Sequence, residues 1–155
     1  MMEVGQKAPN FTLYDTEKTQ VSLDSLRGKK VVLLFFPLAF TSVCTKELCN
    51  VRDNITEYAD TNATVLGISV DSVYTLAKFK EEQQLNFPLL SDFNKEVSKK
   101  YDALYDNFAF DMKGVSKRAA YVIDTNGVVQ YKEVLENAGH VPDFTAIQTT
   151  LSSIT

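Results

Sequence analysis

The sequence lacks an excess of basic residues and has no long apolar run. Its 155 residues carry a formal net charge of −4. No basic run exceeds two residues, and the pair Lys99 and Lys100 is flanked by Glu96 and Asp102. Nucleic acids and anionic membrane surfaces attract clustered Lys and Arg, so this composition argues against both as partners. The best apolar run, residues 31–36, is far too short to cross a bilayer.

Proline and glycine are also scarce, at four and six residues, which argues against disorder. With 45% hydrophobic residues, a chain of this length can bury one core, and we predict a single domain over residues 1–155. Residues 1–20 are polar and turn-rich, unlike a secretory signal, so we expect a cytoplasmic protein. In that compartment a lone cysteine pair is typically redox-active or metal-binding rather than structural.

The first half of the chain predicts a β-α-β unit followed by a helix. Residues 31–36 are continuously apolar and end at Pro37, which is typical of a strand buried on both faces. Residues 43–59 then follow a helical period, and residues 64–70 form a second predicted strand. Asp71 or Ser72 can cap a further helix that runs to about residue 84.

The second half predicts a short strand at residues 87–90 and a short helix through Lys100, capped by Ser91 or Asp92. Strands at 119–123 and 128–134 flank an Asn-Gly pair, which is a strong hairpin signal. A last helix begins near Pro142 and carries an apolar stripe of Phe144, Ile147, Leu151 and Ile154. Together these elements predict a mixed central sheet flanked by helices, typical of a thioredoxin-like α/β fold.

Cys44 is placed where the first buried strand leads into the first turn of a helix, with Thr41 or Ser42 as the cap. Open backbone N–H groups and the helix dipole favour an anion at this place. A free cysteine with a pKa of ~8.5 is only a few per cent thiolate at neutral pH, and lowering that value by ~2 requires roughly 2.7 kcal/mol. A helix terminus contributes ~0.3–1 kcal/mol, up to ~2 when partly buried. A second positive group is therefore needed.

The candidates for that group are the arginines Arg27, Arg52 and Arg118. Arg52 lies eight residues after Cys44 on the same helix, about 12 Å along its axis, and would have to fold back. Arg27 belongs to a turn. Arg118 begins a predicted strand, and a neighbouring strand could direct it at the end of the first strand. We therefore expect Arg118 first and Arg52 second.

The motif Pro37-x-x-x-Thr41-x-x-Cys44 resembles the active-site pattern of the peroxiredoxins, and residues 117–124 resemble their arginine-bearing strand. Residues 5–13 and 66–72 extend the resemblance over essentially the whole chain. Within that family, the chain is most similar to the alkyl hydroperoxidase E and peroxiredoxin Q (bacterioferritin comigratory protein) branches. The resemblance implies a thiol peroxidase in which Cys44 attacks the hydroperoxide and becomes a sulfenic acid. It further implies that Thr41 orients the peroxide, Arg118 stabilises the thiolate and the transition state, and Pro37 shields the thiolate from water. We predict no cofactor and no metal.

The resemblance also implies that Cys49 resolves the sulfenic acid as an intramolecular disulfide, which thioredoxin or a similar thiol then reduces. In an ideal helix the Cα atoms of Cys44 and Cys49 are roughly 8–9 Å apart, whereas a disulfide needs about 4.4–6.8 Å. The helix must therefore unwind locally, around residues 41–51, if the two cysteines bond. The alternative is a one-cysteine peroxidase that uses an external thiol.

Other functions compete for the same residues. A zinc site would have only two cysteines and one histidine, in a spacing that is not typical of zinc. A cysteine hydrolase would need His140 as its base, yet His140 lies in a predicted turn. A redox-switch or holdase protein would use the same cysteines without turnover. Residues 105–110 carry aromatics that form either a homodimer contact or a loop folded over the core.

Overall fold

One seven-stranded mixed sheet organises the computed structural model, which describes residues 2–154. Its strands, in chain order, are β1 (Thr12–Asp15), β2 (Gln20–Ser22), β3 (Lys30–Phe35), β4 (Ala63–Ser69), β5 (Leu89–Ser91), β6 (Arg118–Ile123) and β7 (Val129–Leu135). Their spatial order is β2-β1-β5-β4-β3-β6-β7. Strand β4 pairs in parallel with β3 and β5, and all other pairs are antiparallel. The predicted mixed sheet is confirmed.

Within residues 2–154, five α-helices accompany the sheet: α1 (Ser42–Asp53), α2 (Ile55–Asp60), α3 (Val73–Gln83), α4 (Glu96–Lys100) and α5 (Phe144–Ser153). Two 3₁₀ turns, Leu23–Leu26 and Ala109–Asp111, lie in the connections. Strand β3, helix α1 and strand β4 form the predicted β-α-β unit. Among the described residues, no helix combines the length and the apolar character that crossing a bilayer would require.

Strand β3 is central because both of its faces are buried, as its unbroken apolar sequence predicts. Val32 and Leu34 face a core that includes residues of α1, α2, α3 and α5. Val31, Leu33 and Phe35 face a second core on the other side of the sheet, formed with the N-terminal segment and α4. This burial fixes the position of the strand end from which the chain enters α1.

Several predicted boundaries are wrong in detail. The single helix predicted over residues 43–59 is divided at Asn54, whose φ of −117° and ψ of 20° leave the helical region. The strand predicted at 87–90 is β5, which begins at Leu89. The last helix starts after Asp143, whose carboxylate accepts the N–H of Ala146, and it ends before Ile154. The predicted hairpin between β6 and β7 is confirmed.

Candidate active site

Cys44 lies in the first turn of α1, directly after the loop that leaves β3. Its side chain is fully buried and belongs to the core on the α1 side of the sheet, together with Leu48 and Val51. The helix begins after Thr41, which keeps an extended backbone with φ of −90° and ψ of 152°. The sulfur therefore sits near the positive end of the α1 dipole, enclosed by apolar side chains.

Arg118 reaches Cys44 from the neighbouring strand. Because β6 runs antiparallel to β3 with Ala119 opposite Phe35, Arg118 begins β6 beside the end of β3. Its Nη1 donates to Cys44 Sγ at 3.3 Å, and its Nε and Nη2 donate to the carbonyl oxygen of Ala138 at 3.2 and 2.8 Å. The Arg118 side chain is only 2% exposed. Arg118, the arginine that the sequence favoured, therefore contacts the Cys44 sulfur in the structure.

Glu47 is a further member of this site, beyond the residues predicted from the sequence. It lies one helical turn after Cys44, is fully buried, and its Oε1 accepts from Arg118 Nη1 at 2.7 Å. Its Oε2 is buried without a hydrogen-bond partner. Burial raises the pKa of Glu47 to about 7, against the opposing attraction and hydrogen bond of Arg118, while Glu133 adds to the rise. A glutamate on the apolar face of a predicted helix was the signal that could have revealed it.

Arg118 keeps its positive charge in this environment. Burial by itself lowers its pKa, but the charges of Glu47 and Cys44, together with their hydrogen bonds, outweigh burial and raise it. One buried cation therefore faces two acidic groups, a thiol and a carboxyl. The arrangement can stabilise negative charge at the sulfur and at any atom bound beside it.

The loop of residues 37–41 leads from the end of β3 into α1, where Cys44 lies. Pro37 is buried, whereas Thr41 is exposed. The expected side-chain cap is wrong, because the Thr41 hydroxyl does not accept from the helix N–H groups but donates to the carbonyl oxygen of Leu38 at 2.8 Å. The loop is tied to the end of β4 through Ala39 N, which donates to Asp71 Oδ2 at 2.8 Å. The first-turn N–H groups of α1 are thus left uncapped by Thr41.

Cys49 is partly buried on α1, and both cysteines are free thiols. The helix is continuous from Ser42 to Asp53, so the two cysteines lie within one unbroken helix. Cys49 Sγ donates to Gln83 Oε1 at 3.5 Å rather than contacting Cys44. In this form of the protein the two sulfurs are therefore not arranged as a disulfide.

The other two arginines lie elsewhere. Arg52 pairs with Asp53 at 2.9 Å and donates from Nη1 to the backbone oxygen of Gln83 at 2.6 Å. Arg27 donates to the backbone oxygen of Asn126 and pairs with Asp24 at the surface. Arg52, which was expected second, therefore contacts the C-terminal end of α3 and not Cys44.

The features required by the competing interpretations are not brought together. His140 is exposed in the turn after β7, and its backbone N–H donates to the carbonyl oxygen of Asn137. Within residues 2–154, no group of three or more His, Cys, Asp or Glu side chains is arranged to hold a metal ion. The polar partner of the Cys44 sulfur is an arginine, which suits an anionic sulfur rather than a Cys–His pair.

Comparison with known proteins identifies relatives that match most of this chain. Residues 4–132 match the AhpC/TSA family. A protein described as putative peroxiredoxin bcp from Coxiella burnetii is 44% identical over 130 residues, which are 83% of this chain and 85% of that protein. A thioredoxin-dependent peroxide reductase, mitochondrial, from Drosophila melanogaster is 37% identical over 139 residues, which are 83% of this chain and 57% of that protein. The crystal structure of peroxidoxin BcpB from Mycobacterium tuberculosis superposes with a TM-score of 0.88 at 32% identity, and covers 100% of this chain and 99% of that chain.

Proposed function

This chain belongs to the AhpC/TSA family and is a peroxiredoxin, a thiol-dependent peroxidase with a thioredoxin-like fold, and we propose that Cys44 is its peroxidatic cysteine. The observation that carries the assignment is the 3.3 Å hydrogen bond from Arg118 Nη1 to Cys44 Sγ at a buried helix start. A fixed cation beside a sulfur favours the thiolate, which is the reactive form.

In the first step, the Cys44 thiolate attacks one oxygen of the hydroperoxide. A sulfur–oxygen bond forms, the O–O bond breaks, and the leaving oxygen takes the electron pair and then a proton, which gives water or an alcohol. Cys44 is left as a sulfenic acid. Arg118 already points at the sulfur and is held by Glu47 and Ala138. It can therefore stabilise the charge that develops on the reacting oxygens without rearrangement.

Thr41 and Pro37 complete the proposed peroxide site. The Thr41 hydroxyl is exposed at the start of the helix that carries Cys44, where it can turn from the Leu38 carbonyl to a bound peroxide. Pro37 has no N–H group and is buried, so it adds an apolar wall that keeps water from the thiolate. Glu47 acts through Arg118 as a positioning residue.

In the second step, we propose that Cys49 resolves the sulfenic acid. Its sulfur attacks the Cys44 sulfur, the S–O bond breaks, and the oxygen leaves as water. The Cys49 sulfur is thereby oxidised and the Cys44 sulfur reduced, which gives a disulfide. A thiol reductant then regenerates both cysteines, and thioredoxin is the proposed donor because one relative is named a thioredoxin-dependent peroxide reductase.

The association state and location are further parts of the proposal. Phe110 is 93% exposed next to the paired rings of Tyr105 and Phe108, so residues 105–110 offer an apolar contact for a homodimer. Sedimentation of the wild type and Phe110→Ser would test this.

We propose that the protein has no nucleic-acid partner, since its net charge is −4. We also propose a cytoplasmic location, although the relatives include a protein named as mitochondrial.

The central test is rapid-mixing kinetics of the wild type, Cys44→Ser and Cys49→Ser with hydrogen peroxide and an alkyl hydroperoxide, followed by intact-mass analysis. We expect Cys44→Ser to be inert. Cys49→Ser should gain one oxygen, and the wild type should lose two hydrogens per chain. An oxidised wild type without the disulfide would refute the role of Cys49, and an active Cys44→Ser would refute the role of Cys44.

A further inference from the structure

The resting position of Cys49 is set by a second helix. Gln83 is the last residue of α3, and its Oε1 accepts the Cys49 S–H at 3.5 Å. The S–H group is a weak donor, so this bond is a small but directional restraint on the thiol. Whichever way the disulfide forms, the bond to Gln83 must break first, because the Cys49 sulfur has to turn toward Cys44.

Gln83 is itself fixed to the helix that carries Cys49. Arg52 Nη1 donates to the backbone oxygen of Gln83 at 2.6 Å. Asn86 Nδ2, in the connection from α3 to β5, donates to the backbone oxygen of Arg52 at 3.2 Å. These two bonds hold the backbone at the end of α3 against α1, the helix that carries Cys49, so the Gln83 side chain starts from a fixed position beside that thiol.

We propose that Gln83 is a positioning residue for the resolution step, which holds the Cys49 thiol away from Cys44 and so slows disulfide formation. This inference rests on the proposed resolving role of Cys49. A slow second step lengthens the lifetime of the Cys44 sulfenic acid, which a second peroxide molecule can oxidise to sulfinic acid. The Gln83 contact therefore sets the balance between turnover and inactivation at high peroxide.

The test compares Gln83→Ala, which removes the acceptor, with Gln83→Glu, which keeps an acceptor at the same reach. Alanine is the better helix former, so the first variant does not weaken α3. The exposed neighbour Glu82 provides the matched control, Glu82→Ala. Each protein is reduced, mixed with one equivalent of hydrogen peroxide, quenched in acid at increasing times and weighed intact.

We expect the reaction of Cys44 with peroxide to be unchanged in all variants. Disulfide formation should be about two- to fivefold faster in Gln83→Ala, the effect of one weak hydrogen bond. Gln83→Glu and Glu82→Ala should form the disulfide no faster than the wild type. At high peroxide, Gln83→Ala should accumulate a correspondingly smaller fraction of sulfinic acid.

Failure of the inference differs from failure of the proposed function. If the wild type forms no disulfide, the resolving role of Cys49 is wrong and the inference falls with it. If the wild type forms the disulfide but Gln83→Ala forms it at the same rate or more slowly, only the role of Gln83 is overturned. Equal acceleration in Gln83→Glu would show that the acceptor is not the cause and would overturn it as well.

Discussion

The buried carboxyl of Glu47 should make the stability of this protein fall between mildly acidic and mildly alkaline pH. Glu47 is fully buried, and its Oε2 has no hydrogen-bond partner. Burial raises its pKa from an ordinary value of 4.5 to about 7, although Arg118 opposes the rise. The folded protein therefore holds a proton that the unfolded chain has already lost over this range.

The direction and the size of this change in stability follow from the difference between the folded and unfolded pKa values of Glu47. Because the folded pKa lies above the unfolded one, the stabilising contribution is complete below pH 4.5 and is lost as the pH rises through 7. Each pH unit between two pKa values corresponds to ~1.4 kcal/mol, so the full loss is about 3 kcal/mol. Most of it, about 2–3 kcal/mol, falls between pH 5 and pH 8.

The assay is urea unfolding of Cys44→Ser and of Cys44→Ser combined with Glu47→Gln, at several pH values from 5 to 8. The serine background removes the neighbouring thiol, and the glutamine keeps an acceptor for Arg118 without titrating. All other groups cancel in the difference between the two proteins. We expect that difference to move in favour of the glutamine variant by about 2–3 kcal/mol as the pH rises. Parallel stability curves would refute the reasoning.

Three further predictions concern the reaction itself. Arg118→Lys keeps the positive charge but cannot make all the hydrogen bonds of the guanidinium group. In rapid-mixing experiments Cys44 should therefore react with peroxide about 10²-fold more slowly in this variant. The control Arg27→Lys, at the surface, should have no effect. Thr41→Val should lose a similar factor and Thr41→Ser should lose little; equal losses would contradict the hydroxyl role. Trypsin should cleave after Lys46 faster in the peroxide-treated protein than in dithiothreitol, and Cys49→Ser should abolish the difference; identical rates would argue against unwinding.

The parts of the fold that the sequence predicted are those whose signal is local. Strands β3 and β4 are long apolar runs, and the Asn-Gly turn specifies the β6–β7 hairpin from adjacent residues. The side chain of Ser72 does accept the N–H of Thr75 at the start of α3, as the cap prediction requires. Each of these signals is complete within a few residues, so no tertiary information is needed.

The parts that were missed depend on contacts far apart in sequence. The hairpin of β1 and β2 has short strands with exposed positions, and β1 gains its place by pairing with β5, more than seventy residues later. The place of Glu47 on the apolar face of the predicted helix suggests burial, but its partner Arg118 lies 71 residues later and is identified only by the fold. Likewise, the sequence favours Arg118 over Arg52 only as an expectation, and it is the β3–β6 register that brings Arg118 beside the end of β3.

The burial pattern of α1 decides which cysteine has to move if the disulfide forms. Leu48 and Val51 are fully buried on the same helix, and exposing each would cost about 1.5–3 kcal/mol. Unwinding that removed both from the core would thus cost more than the weak bond that Cys49 makes with Gln83. The cheaper rearrangement keeps Leu48 and Val51 in place and opens only the turns before them, which carries Cys44 out of its contact with Arg118. Cys49 then needs only to rotate away from Gln83, so we expect cleavage by trypsin after Lys46 but none after Arg52 in the oxidised protein.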